Sequence, residues 1–115
     1  MSVALSNDTS TSTPEPAQTR LMIRGVIGLE GPNGPEVEVQ RTMAVIGCDD
    51  LLMGQVAGVL YDTALQCVTA VVLGNYSGRP EYRQIDPGLI VQVVDEVRLR
   101  IPGASWKALP RYGHV

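Results

Sequence analysis

The sequence predicts an all-β protein built on a small, closed or nearly closed antiparallel barrel. Between residues 42 and 101, five or six short runs rich in Val, Ile and Leu alternate with turn residues at close spacing, a pattern typical of small barrels. Twelve glycines and eight prolines favour many turns over long helices. Because the chain contains no Phe and only one Trp, aliphatic side chains must fill most of the core.

The first nineteen residues are predicted to form a disordered arm outside the folded domain. Residues 1–19 are rich in Ser, Thr and Pro, and they offer little apolar surface to bury. They lack the apolar core of a signal peptide and the Arg-rich character of a transit peptide, so we expect a cytoplasmic location. All apolar runs are shorter than the roughly twenty residues of a membrane-spanning helix.

A β-hairpin is predicted over residues 20–41, as an addition that precedes the barrel. Apolar residues alternate with other residues over 20–29, which is the period of a strand. Residues 30–35 contain Pro, Asn and Gly in an order typical of a turn, and residues 36–40 alternate polar with apolar side chains.

The barrel itself is predicted over residues 42–101. Its apolar runs are 43–46, 55–62, 68–73, 82–85, 90–94 and 97–101. Gly54 and Gly58 flank a run of small residues, which indicates a bulge or a sharp curvature in a tightly wound sheet. Asp86 followed by Pro87 predicts a short turn or a single helical turn.

The order of these motifs resembles the PRC-barrel domain. The resemblance rests on an apolar strand at 43–46, Asp49-Asp50, the Gly-X-Val-X-X-Val strand from Gly54 ending in Tyr61-Asp62, the Arg83-X-Ile-Asp-Pro step and a final Val-X-Leu-X-Ile strand. That domain occurs in the cytoplasmic part of the photosynthetic reaction-centre H subunit and at the C-terminus of a bacterial ribosome-maturation factor. The resemblance implies a structural function, and it implies that Leu89 and Ile90 face inward.

Candidate catalytic and metal-binding residues are few, so we expect no enzyme activity, no cofactor and no metal. The one histidine, His114, is next to last in the sequence, and Cys48 and Cys67 have no zinc-site spacing. We expect both cysteines to be reduced thiols that pack as small apolar side chains. Asp49 and Asp50 are expected to initiate a turn.

Candidate partner-docking residues lie in a loop and in the C-terminal extension, residues 102–115. The loop at 74–80 is predicted to expose Tyr76 and Arg79 near its tip. The extension is predicted to form a short turn or helical segment, with Trp106 and Leu109 on one face before Pro110 ends it. Either Trp106 packs back on the barrel, or it forms a docking epitope together with Lys107, Arg111 and Tyr112.

These observations favour a non-catalytic scaffold or accessory subunit that docks on a larger protein complex. The resemblance adds one specific form of it, a peripheral subunit at the cytoplasmic face of a membrane assembly of the photosynthetic reaction-centre type. A ribosome- or RNA-associated module and a self-assembling regulatory barrel are the alternatives. Residues 20–115 hold nine basic against ten acidic residues, a balance that disfavours binding to nucleic acid.

Overall fold

The computed structural model describes residues 18–31 and 33–113. These residues form nine strands and two short 3₁₀ helices. The strands are β1 (Thr19–Met22), β2 (Arg24–Gly28), β3 (Glu36–Gln40), β4 (Ala44–Ile46), β5 (Leu52–Asp62), β6 (Cys67–Asn75), β7 (Glu81–Ile85), β8 (Ile90–Val93) and β9 (Glu96–Leu99). The 3₁₀ helices are η1 (Pro87–Leu89) and η2 (Gly103–Ala108). The all-β prediction is confirmed, whereas the arm predicted over 1–19 lies outside the described residues apart from its last two.

Seven of the strands form one sheet that curls into a half-barrel. The strand order is β7-β6-β5-β4-β9-β8, and β1 pairs with the second half of β5. This arrangement is possible because β5 has eleven residues, so β4 and β1 share one of its edges while β6 occupies the other. The purely antiparallel prediction is wrong for one pair, because β9 runs parallel to β4.

The strand predicted over 20–29 divides at Ile23. Its first half is β1, which joins the main sheet, and its second half is β2, which forms the predicted hairpin with β3. The Arg41 backbone N–H donates to the Ile23 carbonyl oxygen at 2.8 Å, and this bond closes the base of the hairpin. Ile27 and Val39 are buried in the main core, so the hairpin packs onto the half-barrel and contributes to the same core.

The bulges predicted beside Gly54 and Gly58 are present in β5. The register between β4 and β5 shifts between Val45 and Ile46 of β4, opposite Gly54. Gly54 has a φ of 150°, a backbone conformation that would be strained in a residue with a side chain. A second shift lies immediately before Gly58, in the pairing with β6. Gly58 also leaves the space that the Leu21 side chain of β1 occupies. Both glycines therefore permit the curvature of the central strand.

The core is aliphatic, as the composition predicts, and it lies on the side of the sheet that the hairpin covers. Its buried residues are Ile27, Val39, Val45, Met53, Val56, Val59, Val71, Leu73, Ile85, Ile90, Val97, Leu99 and Leu109. Cys48 and Cys67 are free thiols, but the prediction that they pack as apolar side chains is wrong because both are exposed. Cys48 lies in a turn and Cys67 begins β6, and both positions are exposed to solvent.

The segment that follows η2 covers the outer edge of β7. The Gln84 N–H donates to the Pro110 carbonyl at 2.7 Å, and the Tyr112 N–H donates to the Tyr82 carbonyl at 2.9 Å. Leu109 is buried in the main core, whereas Tyr112 packs against a second apolar cluster formed by other residues of β5 and β6. Backbone groups of β7 that would otherwise form an open sheet edge are thus paired.

Both helical turns predicted from sequence are present. Asp86 caps η1 by accepting a hydrogen bond from the Gly88 N–H at 2.8 Å, and Ile90 is fully buried directly after it. Leu89 is partly buried and packs against the main core. In the C-terminal extension, η2 ends immediately before Leu109.

Candidate functional site

The six predicted docking residues lie around two adjoining grooves, which we call the C-terminal surface. Groove 1 has a volume of about 570 Å³ and groove 2 of about 520 Å³. Groove 1 is lined by Thr42, Ala44, Leu52, Met53, Gly54, Gln55, Asn75, Tyr76, Ser77 and Trp106. Groove 2 is lined by Arg79, Pro80, Glu81, Tyr82, Arg111, Tyr112 and Gly113. Lys107, the sixth predicted residue, has its ammonium 5.7 Å from the centre of the Trp106 ring.

Groove 1 is mainly apolar, and the ends of β5 and β6 hold its walls. The Asn75 side-chain amide donates to the Met53 carbonyl at 2.8 Å, which ties the start of the 74–80 loop to β5. The Asn75 side-chain oxygen accepts a hydrogen bond from the Ser77 hydroxyl, also at 2.8 Å. These bonds fix the loop that carries Tyr76, and they leave Leu52 70% exposed at the wall of the groove.

Tyr76 and Tyr82 connect the two grooves. Their ring centroids are 5.8 Å apart, with the planes at 78° in an edge-to-face contact. The Tyr76 ring lies over Gly74, where a Cβ atom would collide with it. Burial raises the pKa of the Tyr76 hydroxyl, aided by its hydrogen bond with Tyr82, while the charge of Arg41 acts in the opposite direction. Tyr76 is therefore a neutral hydroxyl at physiological pH, able to donate a hydrogen bond.

Trp106 is held in place by Arg83, a residue that is 8% exposed. The Arg83 guanidinium carbon lies 5.5 Å from the Trp106 ring centroid, in a cation–π contact. One terminal nitrogen of Arg83 donates to the Leu109 carbonyl at 3.0 Å, and the other donates to Glu81 at 3.2 Å. Trp106 packs against the core, as one of the two sequence interpretations predicts, and it also lines groove 1; the docking epitope stays a prediction.

Asp49 attaches the other end of the C-terminal extension. Its carboxylate accepts hydrogen bonds from the Leu51 N–H at 3.2 Å and from the Gly103 N–H at 3.0 Å. The bond from Gly103 is the main cause that lowers the pKa of Asp49, against a smaller opposing effect of desolvation. Asp49 therefore shapes a turn, as predicted, and it also anchors the beginning of η2.

The arginines that would define an RNA-binding face do not share one surface. Arg83 is buried beneath Trp106, whereas Arg98 pairs with Asp50 at 2.7 Å in a different part of the sheet. Arg100 pairs with Glu30 at 3.1 Å. Arg79 is exposed beside groove 2. The clustered cations that would favour phosphate contacts are therefore not formed by these four residues.

Sequence reasoning missed several residues at or beside the C-terminal surface, among them Arg41, Tyr82 and Arg83. A signal for Arg83 exists in the sequence, because the period of two along β7 places it on the same face as the buried Ile85. Arg41 lies far from Tyr76 in sequence, and only the fold brings its charge close enough to affect the Tyr76 pKa.

Comparison with known proteins gives no match to a protein-family model, to a curated protein or to a solved structure. Residues 18–31 and 33–113 contain no cluster of three or more His, Cys, Asp or Glu side chains that could hold a metal ion. In the same residues, no helix has the length and apolar character needed to cross a membrane. His114 lies outside the described part of the chain.

Proposed function

We propose that this protein is a non-catalytic docking module, an accessory or scaffold subunit that binds a larger protein complex through the C-terminal surface. One observation carries the proposal: the fold brings Tyr76, Trp106 and exposed cations from separate segments together around two adjoining grooves. Trp, Tyr and Arg are the residue types that dominate the binding energy of protein interfaces. Groove 1 is lined by apolar, aromatic and neutral polar side chains, a composition suited to binding.

The proposal includes a PRC-barrel fold and a cytoplasmic location at the face of a membrane complex, in the manner of a photosynthetic reaction centre. It is supported by the order of sequence motifs over 42–101 and by the curled sheet that these residues form. Among the described residues, no residue of the hairpin (24–40) lines either groove, and the C-terminal extension contributes to the walls of both. Such a module acts by holding neighbouring proteins in place.

Site-specific photo-crosslinking in an extract of the native source tests the docking function. A photoreactive residue placed at Tyr76 or at Arg111 is expected to form a covalent adduct with a discrete partner protein. The matched control is Leu65, which is 67% exposed in the turn after β5, outside both grooves. Adducts that form equally from all three positions, or from none of them, would contradict the proposal.

Self-association is a second candidate function, and the exposure of β1 favours it. All four residues of β1 are exposed, and Met22 and Ile23 are 44% and 64% exposed beside each other. An exposed apolar edge strand is a template for pairing with a second copy. Sedimentation of the full chain at increasing concentration tests this idea, because a monomer at every concentration would remove it.

A further inference from the structure

The charge around the two grooves is opposite to that of the whole chain. Four exposed cations lie at or beside the grooves: Arg79 and Arg111 line groove 2, Lys107 lies over the Trp106 ring, and Arg41 directly precedes Thr42 in the lining of groove 1. With the buried Arg83 and the carboxylate of Glu81, five cations against one anion give this surface a net charge of +4. Because the whole chain carries −3, the remaining residues carry −7. The C-terminal surface is therefore the positive region of an acidic protein.

The exposed cations of this surface are mostly uncompensated. Glu81 is shared by Arg83 at 3.2 Å and by Arg111 at 3.8 Å. Within the described residues, Arg41, Arg79 and Lys107 form no ion pair. Of the other four cations, Arg24, Arg98 and Arg100 each pair with a carboxylate, and Arg20 has no ion pair in the part of the chain that the structure describes. Nearby carboxylates thus pair with most of the cations elsewhere in the molecule, but with few of the cations at the grooves.

An apolar slot lies beside these charges. Trp106 and Tyr76 line groove 1 together with Leu52, so an apolar side chain entering the groove would contact aromatic and aliphatic surface. Aromatic-lined grooves accept extended or proline-containing segments, which lose little conformational entropy on binding. Tyr76 lines groove 1 and Tyr82 lines groove 2, and because their rings are in contact the two grooves lie side by side.

Resting on the docking function proposed above, we propose that the occupant of both grooves is an extended acidic segment of the partner protein. Its apolar or proline side chains enter groove 1. Its carboxylates meet Arg41 and Lys107 beside groove 1 and Arg79 and Arg111 at groove 2. The planar guanidinium group of arginine matches a carboxylate in a two-bond geometry, which gives such a segment a defined direction.

Single-stranded RNA also binds to surfaces that combine aromatic and basic residues, but two observations favour a peptide. A nucleic acid carries a phosphate at every nucleotide and would therefore place one near the Glu81 carboxylate, which lines groove 2 with its side chain 38% exposed, whereas a peptide can place a neutral residue there. The wall of groove 1 carries the aliphatic side chain of Leu52, 70% exposed, which suits an apolar side chain of a peptide better than a polar nucleobase. A peptide that alternates carboxylates with apolar side chains suits both features.

Selection from a displayed library of random peptides of about twelve residues, on the immobilised full chain, tests the proposal. The expected result is enrichment of peptides with net negative charge and with Pro or Leu between the acidic positions. Enrichment of neutral or basic peptides, or no enrichment at all, would overturn it. The affinity of the enriched peptide is then measured by fluorescence anisotropy, with poly-uridine as a competing ligand.

A double variant, Arg41→Glu with Lys107→Glu, is expected to weaken the enriched peptide about tenfold or more, since two attractions become repulsions. The matched control is Arg20→Glu, an exposed cation with no ion pair in the described part of the chain. Arg20 lies on β1 opposite Tyr61 of β5, about 20 Å along β5 from groove 1, so this substitution should leave the affinity for the peptide unchanged. Equal losses in both variants would overturn the proposal, as would displacement of the peptide by poly-uridine at a lower concentration than by the unlabelled peptide itself.

The photo-crosslinking experiment can distinguish failure of the docking function from failure of the acidic occupant. A partner captured at Tyr76 whose crosslinked segment is neutral or basic would overturn the acidic occupant and leave the docking function standing. Absence of a discrete adduct at Tyr76 and Arg111 would remove the docking function itself. A crosslinked segment rich in Asp and Glu would support both.

Discussion

The interior of the half-barrel and the C-terminal surface are stabilised by different interactions. The interior consists of aliphatic side chains from β2 to β9, and residues such as Leu73, Ile85 and Leu99 are 0% exposed. The C-terminal extension buries Leu109 in this interior, and directional contacts hold the rest of it. These are the backbone bonds to β7, the Arg83 bond to Leu109 and the Asp49 bond to Gly103.

This difference predicts how the two regions respond to substitution. Apolar burial is collective and non-directional, so the interior determines whether the chain folds. A single intramolecular hydrogen bond contributes only about 0.5–1.5 kcal/mol net, so each contact of the extension can be removed from a protein that stays folded. The docking surface can therefore be altered separately from the fold.

The largest effect is expected from a cavity in the interior. Leu99→Ala removes a fully buried side chain of β9, and the lost contacts should lower the free energy of unfolding by about 2–5 kcal/mol. Leu52→Ala, at a position that is 70% exposed, should change it by less than about 0.5 kcal/mol. Urea denaturation followed by circular dichroism measures both, and similar losses in the two variants would contradict the comparison.

The second effect concerns Gly54, where the interior meets groove 1. At a φ of 150°, a Cβ atom would overlap the backbone carbonyl of Gly74, which cannot move without breaking the pairing of β5 with β6. We expect Gly54→Ala to cost about 1–3 kcal/mol of stability. Gly78→Ala is the matched control, because a Cβ atom there meets nothing within 4 Å. A shift of the urea midpoint in both variants would show that the strain is not specific to Gly54.

The third prediction separates the extension from the core. Arg83→Met removes the hydrogen bond to Leu109 and the cation–π contact with Trp106. It also relieves the burial of a guanidinium whose Nε has no hydrogen-bond partner among residues 18–31 and 33–113. We expect a net loss of about 1 kcal/mol, because the two effects partly cancel. Trp106 fluorescence should shift to longer wavelength as the extension loosens, and trypsin should cleave faster after Lys107.

The control for this variant is Arg79→Met, which removes an exposed cation that has no ion pair among the described residues. Its fluorescence and its rate of cleavage should match those of the unmodified protein. If Arg83→Met leaves both readouts unchanged, Arg83 does not hold the extension. If Arg83→Met instead unfolds the whole protein, Arg83 is required for the fold itself and not only for holding the extension.

Much of the fold could be predicted from sequence, because each strand carries its own signal. The alternation over 36–40, the glycines at 54 and 58 and the Asp86 cap are local patterns with one favoured outcome. The division at Ile23 could not be predicted, because the alternation of residues 20–29 continues without interruption. The second half pairs with β3, the next strand in the chain, as the predicted hairpin requires, whereas the first half pairs with β5, which lies far away in sequence.

For the candidate site, the sequence predicts which residue types take part, and only the structure shows how they are arranged. The enrichment of Trp, Lys, Arg and Tyr after residue 102 is visible in the sequence. That Tyr76 meets Tyr82, and that Trp106 lines a groove with Leu52, follows from β6, β7 and η2 meeting at one end of the sheet. The exposure of Cys48 and Cys67 also depends on the three-dimensional arrangement, because the position of a residue in the sheet decides whether it is buried when it lies in a turn or at the end of a strand.

The smallest effect is a pH dependence at Asp49. Hydrogen bonds from Gly103 and Leu51 favour the ionised carboxylate, so the pKa of Asp49 in the folded state lies below the usual value for an aspartate. A group with a lowered folded pKa stabilises the protein above its unfolded pKa, and the contribution is lost as the pH falls through the folded value. The stabilisation from Asp49 should therefore be complete at neutral pH and should disappear below the lowered pKa.

Asp49→Asn tests this, because the amide oxygen can still accept both hydrogen bonds but carries no charge. The difference in Tm between the unmodified protein and the variant should be positive near about pH 7 and should shrink as the pH is lowered below 3.8. Asp95→Asn, in the exposed turn between β8 and β9, is the matched control for the loss of one carboxylate. A difference in Tm that stays constant with pH would mean that the charge of Asp49 is not what anchors the extension, and the hydrogen-bond geometry alone would then hold Gly103 to the turn.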